Sequence, residues 1–235
     1  MRSIALAQYL QTQGVEVLFL SIPWKRELNN YLSSQPFEVR FLPLSMGERG
    51  SEKDLKLMSE ELKDVSDWVL LDNYYFKEDF QRAVRDSGAR LLLIDDGNSP
   101  CRLCDIAVDY APQDGGLNVK MDHAMKILRG PQYVAIRREL IDFPKGRRQN
   151  LKNILVTLGG SSQKICLAKV IRAIVAIREF EFQVKVLCGF SDPPDTFSES
   201  FRGSGHKIEI CKATVAVGVL YDWADFAICA GEFYV

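Results

Sequence analysis

The sequence predicts an α/β protein built from two units, each with parallel strands separated by helices. Apolar runs of four or five residues recur along the chain and alternate with segments of helical periodicity. Some of these runs end directly in carboxylates, which is typical of parallel strands that are covered on both faces and meet solvent at their carboxyl ends. The alternation pauses in a segment rich in Pro, Gly and basic residues and then restarts, so we place a linker there, between residues 142 and 151.

In the first unit, expected to cover residues 1–142, helix and strand patterns follow one another. Residues 4–10 have helical spacing, and Gly14 separates them from an apolar, β-branched run at 15–20. The other elements expected here are a helix at 53–63, a strand at 68–72, a helix at 77–87 and a strand that starts at residue 89.

Carboxylates follow two of these strands, and they are the first candidate site. Asp72 ends one strand and the pair Asp95-Asp96 ends the next, so we expect all three to line one rim of the sheet. Carboxylates at such a rim can act as a general base, bind a metal or accept hydrogen bonds from sugar hydroxyls, and they can equally cap a turn. Tyr74 lies beside Asp72, and its ring can pack on a sugar while its hydroxyl forms a hydrogen bond.

The second unit is expected to cover residues 151–235 and repeats the alternation. The expected elements are a strand at 152–158, a helix at 162–177 and strands at 182–189, 206–211 and 224–232. A second βαβ unit is the natural result.

A Gly-Gly-Ser-Ser turn connects the first strand of this unit to its helix. Gly159 and Gly160 let the backbone approach a ligand, and the start of the helix offers unpaired N–H groups, so we expect an anion there. Ser161 or Ser162 can donate to a phosphate or simply cap the helix. The turn is neither a P-loop nor a GxGxxG motif, and a structural role for the glycines stays open.

Composition narrows the functional classes. Thirty Lys+Arg against 31 Asp+Glu leave a net charge of -1, which removes any overall attraction to nucleic acid or to an anionic membrane. No apolar run approaches the ~18 residues that span a bilayer, and residues 1–14 are amphipathic rather than a signal peptide. We therefore expect a cytoplasmic protein that binds a small molecule, with no membrane insertion and no nucleic-acid partner.

The cysteines and histidines suggest no catalytic or metal centre. Cysteines 166, 188, 211 and 229 sit in apolar runs and are expected in the core. Cys101 and Cys104 have a spacing that suits zinc or a redox pair, but no second pair accompanies them, so we expect no metal and no cofactor. His123 and His206 lie in polar segments, expected as solvated loops, and neither suits a catalytic base.

Seven motifs, taken together and in order, resemble a known family. They are MRSIALAQYLQTQGVEVLFL, LLDNYYF, LLLIDDG, CDIAVDYAP, LRGPQYVAIRREL, ILVTLGGS and ADFAICAG. The set is similar to the UDP-2,4-diacetamido-2,4,6-trideoxy-β-L-altropyranose hydrolases of pseudaminic acid synthesis, relatives of the spore-coat polysaccharide proteins and of the transferase that makes lipid II. The resemblance implies the glycosyltransferase-B architecture of two Rossmann-like domains, in which the second domain mainly holds UDP and the sugar reaches the first.

The resemblance also assigns roles to residues. It implies that Gly159, Gly160 and Ser161 meet the diphosphate, that Tyr74 meets the sugar, and that Asp72, Asp95 and Asp96 form the floor of the site. Tyr74 and Asp72 are the catalytic candidates. The substrate-binding candidates are Arg2, Asp95, Asp96, Gly159, Gly160, Ser161, Ser162 and Gly231.

Two family features fall outside the sequence. Members begin with a strand and a G-x-G-H-x-x-R turn whose histidine activates water; Arg2 matches the arginine of that turn, and the histidine would precede Met1. Members also continue past the AGG motif into a glutamate-bearing helix, and Glu232 stands too early to take that role. We therefore expect each domain to be incomplete, lacking the first strand of one and the end of the other, with strand edges left unpaired.

Three functions follow as expectations. The first is a UDP-sugar hydrolase, inactive in the chain as given, whose partner is a UDP-sugar. The second is a glycosyltransferase of the same architecture that uses a UDP-sugar donor. The third is a non-catalytic remnant that binds a nucleotide sugar.

Overall fold

The chain divides into two compact units of parallel α/β structure. The computed structural model describes residues 1–64, 67–72, 75–94, 103–110, 126–141, 151–159, 164–189 and 205–230. Most contacts lie within one of two units, Met1–Arg138 and Glu139–Val235. Every strand pair among the described residues is parallel, which confirms the predicted fold class. The linker expected at 143–150 lies outside the described residues, so the domain limits 1–142 and 151–235 stay a prediction.

The first unit contains two parallel sheets among its described residues. Its elements are α1 (Arg2–Thr12), β1 (Leu18–Ser21), α2 (Arg26–Ser33), β2 (Glu38–Phe41), α3 (Glu52–Glu61), β3 (Trp68–Leu71), α4 (Glu78–Asp86), β4 (Arg90–Ile94), β5 (Ile106–Asp109), β6 (Lys126–Arg129) and α5 (Arg138–Ile141), the last at the unit boundary. β1 pairs with β2, and β3, β4, β5 and β6 form a second sheet in chain order. β1 and β3 thus each keep one edge that pairs with no described strand.

Each sheet of the first unit has its own apolar core. Ile4 and Ala7 of α1 pack with Leu32 of α2 over β1 and β2. Phe80 and Val84 of α4 are fully buried against β3 and β4. The apolar residues of α1 and α4 recur at helical spacing because one face of each helix covers a sheet, and this burial is the main stabilising contribution.

The second unit has one described sheet, in which the first strand of the unit along the chain is an interior strand. Its elements are β7 (Asn153–Thr157), α6 (Lys164–Ala176), β8 (Gln183–Leu187), β9 (Lys207–Cys211), α7 (Gly218–Trp223) and β10 (Phe226–Cys229), and the strand order is β10-β7-β8-β9. Ile154, Leu155 and Val156 are at most 1% exposed because β7 has neighbours on both sides and a helix above it. Asp225 accepts the backbone N–H groups of Lys152 and Asn153, which fixes the start of β10 beside β7.

Six elements of the described structure were not predicted from the sequence: α2, β2, β5, β6, α5 and α7. β2 alternates exposed and half-buried residues and carries Glu38 and Arg40, so it lacks the continuous apolar run used to find the other strands. β6 is four residues long and begins with Lys126, in a chain segment rich in polar residues. Short edge strands of this kind are poorly marked in a sequence because one face or one edge stays in water.

The prediction that all the scattered cysteines belong to the core is wrong. Cys188 and Cys104 are buried, but Cys166 and Cys229 are exposed. Cys166 lies on the outer face of α6, beside the buried Leu167, and Cys229 is on β10, an edge strand. Cys211 is intermediate, and its partial burial raises the pKa of its thiol.

None of the helices described is long and apolar enough to cross a membrane.

Candidate functional site

The carboxyl ends of the parallel strands in the first unit carry charged side chains that pair with one another. Asp72 follows β3, Asp109 ends β5 and Arg129 ends β6. Arg2 stands at the first position of α1 and reaches this same rim. Ligands of open parallel sheets bind outside the carboxyl ends of the strands, so this rim is the first candidate site.

Arg2 and Asp72 form a largely buried ion pair. The Arg2 Nε donates to Asp72 Oδ1 at 2.8 Å, and the Ser3 hydroxyl donates to Oδ2 at 2.8 Å. The two charged side chains are 26% and 15% exposed. The Arg2 guanidinium also lies 5.5 Å from the centre of the Tyr110 ring. Because both carboxylate oxygens already accept hydrogen bonds, Asp72 is arranged to orient Arg2.

A second ion pair, which the sequence analysis missed, lies at the other side of the rim. The Arg129 Nε is 3.0 Å from Asp109 Oδ2, and the Asp109 side chain is fully buried while Arg129 is 22% exposed. The two residues are register partners on β5 and β6. The sequence signal was present in an apolar run that ends in aspartate, but its partner was hidden because β6 was not recognised.

Several predicted site residues lie outside the described residues. They are Tyr74, Asp95, Asp96, Gly160, Ser161, Ser162 and Gly231. Of the predicted set, the structure therefore places Arg2, Asp72 and Gly159, and it brings the first two into direct contact. Among the described residues, no group of three or more His, Cys, Asp or Glu side chains is arranged to hold a metal ion.

In the second unit, the candidate site is formed by the backbone at Gly159 and not by charged side chains. Gly159 follows the carboxyl end of β7 and has a φ of +95°, a conformation that favours glycine. No described atom comes within 4 Å of the place where a Cβ would stand. Leu158, just before it, is buried in the core, so the turn leaves the sheet at this residue. Among the described residues, no atom therefore occupies the place that a side chain at Gly159 would fill.

His206 is a structural residue of the second unit and not the solvated loop residue we expected. Its Nδ1 accepts the backbone N–H of Phe182 at 3.2 Å, so Nε2 carries the hydrogen. Nε2 lies 3.0 Å from the carbonyl oxygen of Ile174 and 3.1 Å from that of Ile177, at the carboxyl end of α6. The ring also stacks on Phe182 at 5.5 Å. His206 therefore ties the carboxyl end of α6 to Phe182, the residue that precedes β8.

Comparison with known proteins places the fold. No family model matches the chain. An uncharacterized protein of Methanocaldococcus jannaschii is 28% identical over 140 residues, which are 55% of this chain and 29% of that protein. The match thus spans less than a third of that relative's length. The crystal structure of MurG from Acinetobacter baumannii superimposes on 97% of this chain and 67% of its own, with a TM-score of 0.56 and 18% identity.

The structural likeness to MurG identifies the class of fold. MurG is a glycosyltransferase of the GT-B fold, and the likeness extends over nearly all of the present chain. The chain has a fold of this class, with two Rossmann-like units, as the resemblance implied. The narrower expectation, membership of the pseudaminic acid hydrolases, stays a prediction.

Proposed function

We propose that the protein binds a nucleotide sugar and that the Gly159 turn receives its diphosphate. The observation that carries the proposal is the positive φ of Gly159 at the carboxyl end of β7, with no described atom within 4 Å of the place where a Cβ would stand. In parallel α/β proteins a turn of this kind lets backbone N–H groups meet an anion. The GT-B fold, shared with a glycosyltransferase, supports a nucleotide-sugar ligand in particular.

The finer proposal is hydrolysis of a UDP-linked diacetamido-trideoxy hexose in the synthesis of a pseudaminic acid-type glycan, in the cytoplasm. Water attacks the anomeric carbon, the C1–O bond breaks, and UDP leaves with that oxygen. Gly159, Gly160 and the hydroxyls of Ser161 and Ser162 stabilise the leaving diphosphate. Gly231 contributes to binding the nucleotide.

The sugar would be recognised at the rim of the first unit. Tyr74 would contact the sugar, and Asp72, Asp95 and Asp96 would form the floor of the site. The contact of Arg2 with Asp72, at 2.8 Å, holds a guanidinium ready to donate to a sugar hydroxyl or a phosphate oxygen. No metal or cofactor has a role in this proposal.

A glycosyltransferase is the second candidate, and the likeness to MurG favours it. The same binding site would then pass the sugar from UDP to an acceptor hydroxyl instead of to water. The two candidates share the donor and differ in the group that attacks C1.

The test begins with binding, because binding of UDP needs no catalytic base. Titration calorimetry of the 235-residue chain with UDP should show one site per chain, and guanosine diphosphate serves as the control for the base. Absence of UDP binding in this chain and in a version extended upstream would overturn the proposal.

The reaction is then assigned by UDP release from UDP-2,4-diacetamido-2,4,6-trideoxy-β-L-altropyranose, measured with both versions of the chain. Release that yields the free sugar without any acceptor supports the hydrolase. Release that depends on an added carbohydrate acceptor contradicts the hydrolase and supports the transferase.

A further inference from the structure

Three loops of the first unit bring two aromatic rings and a guanidinium together. Trp24 follows β1, Arg49 follows β2 and Tyr75 follows β3, so each residue comes from a loop at the carboxyl end of a parallel strand. The Arg49 guanidinium carbon lies 4.5 Å from the centre of the Tyr75 ring and 5.9 Å from that of Trp24. Arg49 also donates to the Tyr75 hydroxyl at 3.3 Å. We call Trp24, Arg49 and Tyr75 the aromatic platform.

Hydrogen bonds to neighbouring side chains and to one backbone carbonyl hold the platform in place. Trp24 donates its backbone N–H to Asn29 at 2.8 Å, and its indole N–H to the Ser21 hydroxyl at 3.2 Å. Arg49 Nε donates to the carbonyl oxygen of Met46 at 2.8 Å. Binding to groups that are already ordered costs little conformational entropy.

Gly50 is the point where the loop after β2 contacts the loop after β3. It has a φ of +69°, and a Cβ at this position would stand 2.8 Å from the carbonyl oxygen of Tyr75 and 2.9 Å from its Cβ. Its N–H donates to the buried Asp54, which lies in the first turn of α3. The close approach of the two loops therefore depends on glycine at this position.

The platform stays open to solvent despite this support. Trp24 is 41% exposed and Tyr75 is 42% exposed. Met46, whose carbonyl oxygen accepts the hydrogen bond from Arg49, is 43% exposed. Exposed aromatic surface that is held rigid and surrounded by polar groups is typical of a binding site rather than of a core.

We propose that the aromatic platform binds a neutral pyranose ring of an oligosaccharide. The C–H face of a pyranose packs on an aromatic ring, and its hydroxyls accept hydrogen bonds from a guanidinium that lies beside that ring. The position at the carboxyl ends of parallel strands is where such folds bind small ligands.

A polyanion fits this surface less well than a neutral sugar does. Glu48 precedes Arg49, and the pKa of its carboxyl is lowered to about 2 by Lys53 and by Ser45, so it stays ionised near neutral pH. The chain carries a net charge of -1 and offers no general attraction to phosphates. This inference needs no part of the nucleotide-sugar proposal.

The test measures the binding of chitotriose and maltotriose, two neutral oligosaccharides, by titration calorimetry and by saturation-transfer NMR. At least one of them should bind, and Trp24→Ala should weaken that binding by about tenfold or more. Trp68→Ala is the matched control, because Trp68 is 44% exposed and also lies under an arginine, Arg90, at 5.6 Å. It stands at the amino end of β3, away from the platform, and should leave sugar binding unchanged.

A second variant keeps the test valid if Trp24→Ala fails to fold. Arg49→Lys keeps the charge but loses the planar donor group, and it should weaken sugar binding severalfold. UDP binding should be the same in all of these variants, so failure here is distinct from failure of the proposed function. The inference is overturned if neither sugar binds, or if the Trp68 and Trp24 variants lose sugar binding equally. It is also overturned if polyuridine or a proline-rich peptide binds through Trp24 and the two sugars do not.

Discussion

The two units treat the carboxyl ends of their strands differently. In the first unit, this rim is built from charged side chains that already pair, Arg2 with Asp72 and Arg129 with Asp109. In the second unit, β7 leads into Gly159, where no described atom lies within 4 Å of the place of a Cβ.

This difference predicts how each unit responds to a substitution at its rim. Paired side chains are fixed by charge and burial, so altering one changes the stability of the first unit. The turn at Gly159 depends on a backbone conformation that glycine favours. A substitution there should change which groups can approach the backbone, while the sheet of the second unit stays packed. Each variant below tests one side of this contrast.

The largest effect is expected from Arg129→Met. Asp109 is fully buried, and the loss of the cation it faces should lower the free energy of unfolding by about 3–5 kcal/mol. Urea unfolding followed by circular dichroism measures this. Arg82→Met makes the same substitution in a pair with Glu78 where both side chains are more than half exposed, and it should change stability little. Similar losses in the two variants would refute the view that burial gives this pair its importance.

An intermediate effect is expected from Gly159→Ala. Gly159 and Gly205 both have positive φ, and neither has a described atom within 4 Å of its missing Cβ, so alanine at either should cost about 1–2 kcal/mol of stability. UDP binding separates the two. Gly159→Ala should weaken UDP binding by about tenfold, and Gly205→Ala should leave it unchanged. If both variants bind UDP as the parent chain does, the Gly159 turn is not the diphosphate site.

The smallest effect is expected from protonation of Glu48 at acid pH. Lys53 and Ser45 lower the pKa of Glu48 from 4.5 to about 2. A lowered folded-state pKa means that the contribution of Glu48 to stability is present above pH 4.5 and is lost as the pH falls through about 2. Carboxyl chemical shifts followed by NMR should report this titration. Glu48→Gln should remove its share of the acid dependence, and an ordinary titration near 4.5 in the parent chain would contradict the assignment.

Much of the sheet structure could be predicted from the sequence, because buried parallel strands are short apolar runs. β4 and β7 are examples, since three of the five residues in each strand are buried. β2 could not be found in this way, since Glu38 and Arg40 face outward and hide its period. The amphipathic start of the chain was correctly predicted to be a helix, because its apolar residues recur at helical spacing.

The candidate site was less accessible to sequence reasoning. The sequence suggested that Asp72 lies at a rim, but not that its partner is Arg2, which is 70 residues away in the chain. The aromatic platform was missed for the same reason, since Trp24, Arg49 and Tyr75 are brought together only by three separate crossovers. Residue types are visible in a sequence, whereas partnerships between distant loops depend on strand register and order.

The parallel pairing of β7 with β10 also has a consequence for biosynthesis. β7 lies between β8 and β10, but β10 follows β7 by roughly 70 residues. At ~5–20 residues per second on a ribosome, β7 waits for several seconds or more with one edge unpaired. During that interval, an apolar strand is open to wrong partners, so the nascent second unit is the part of this chain for which we expect the greatest need of chaperones.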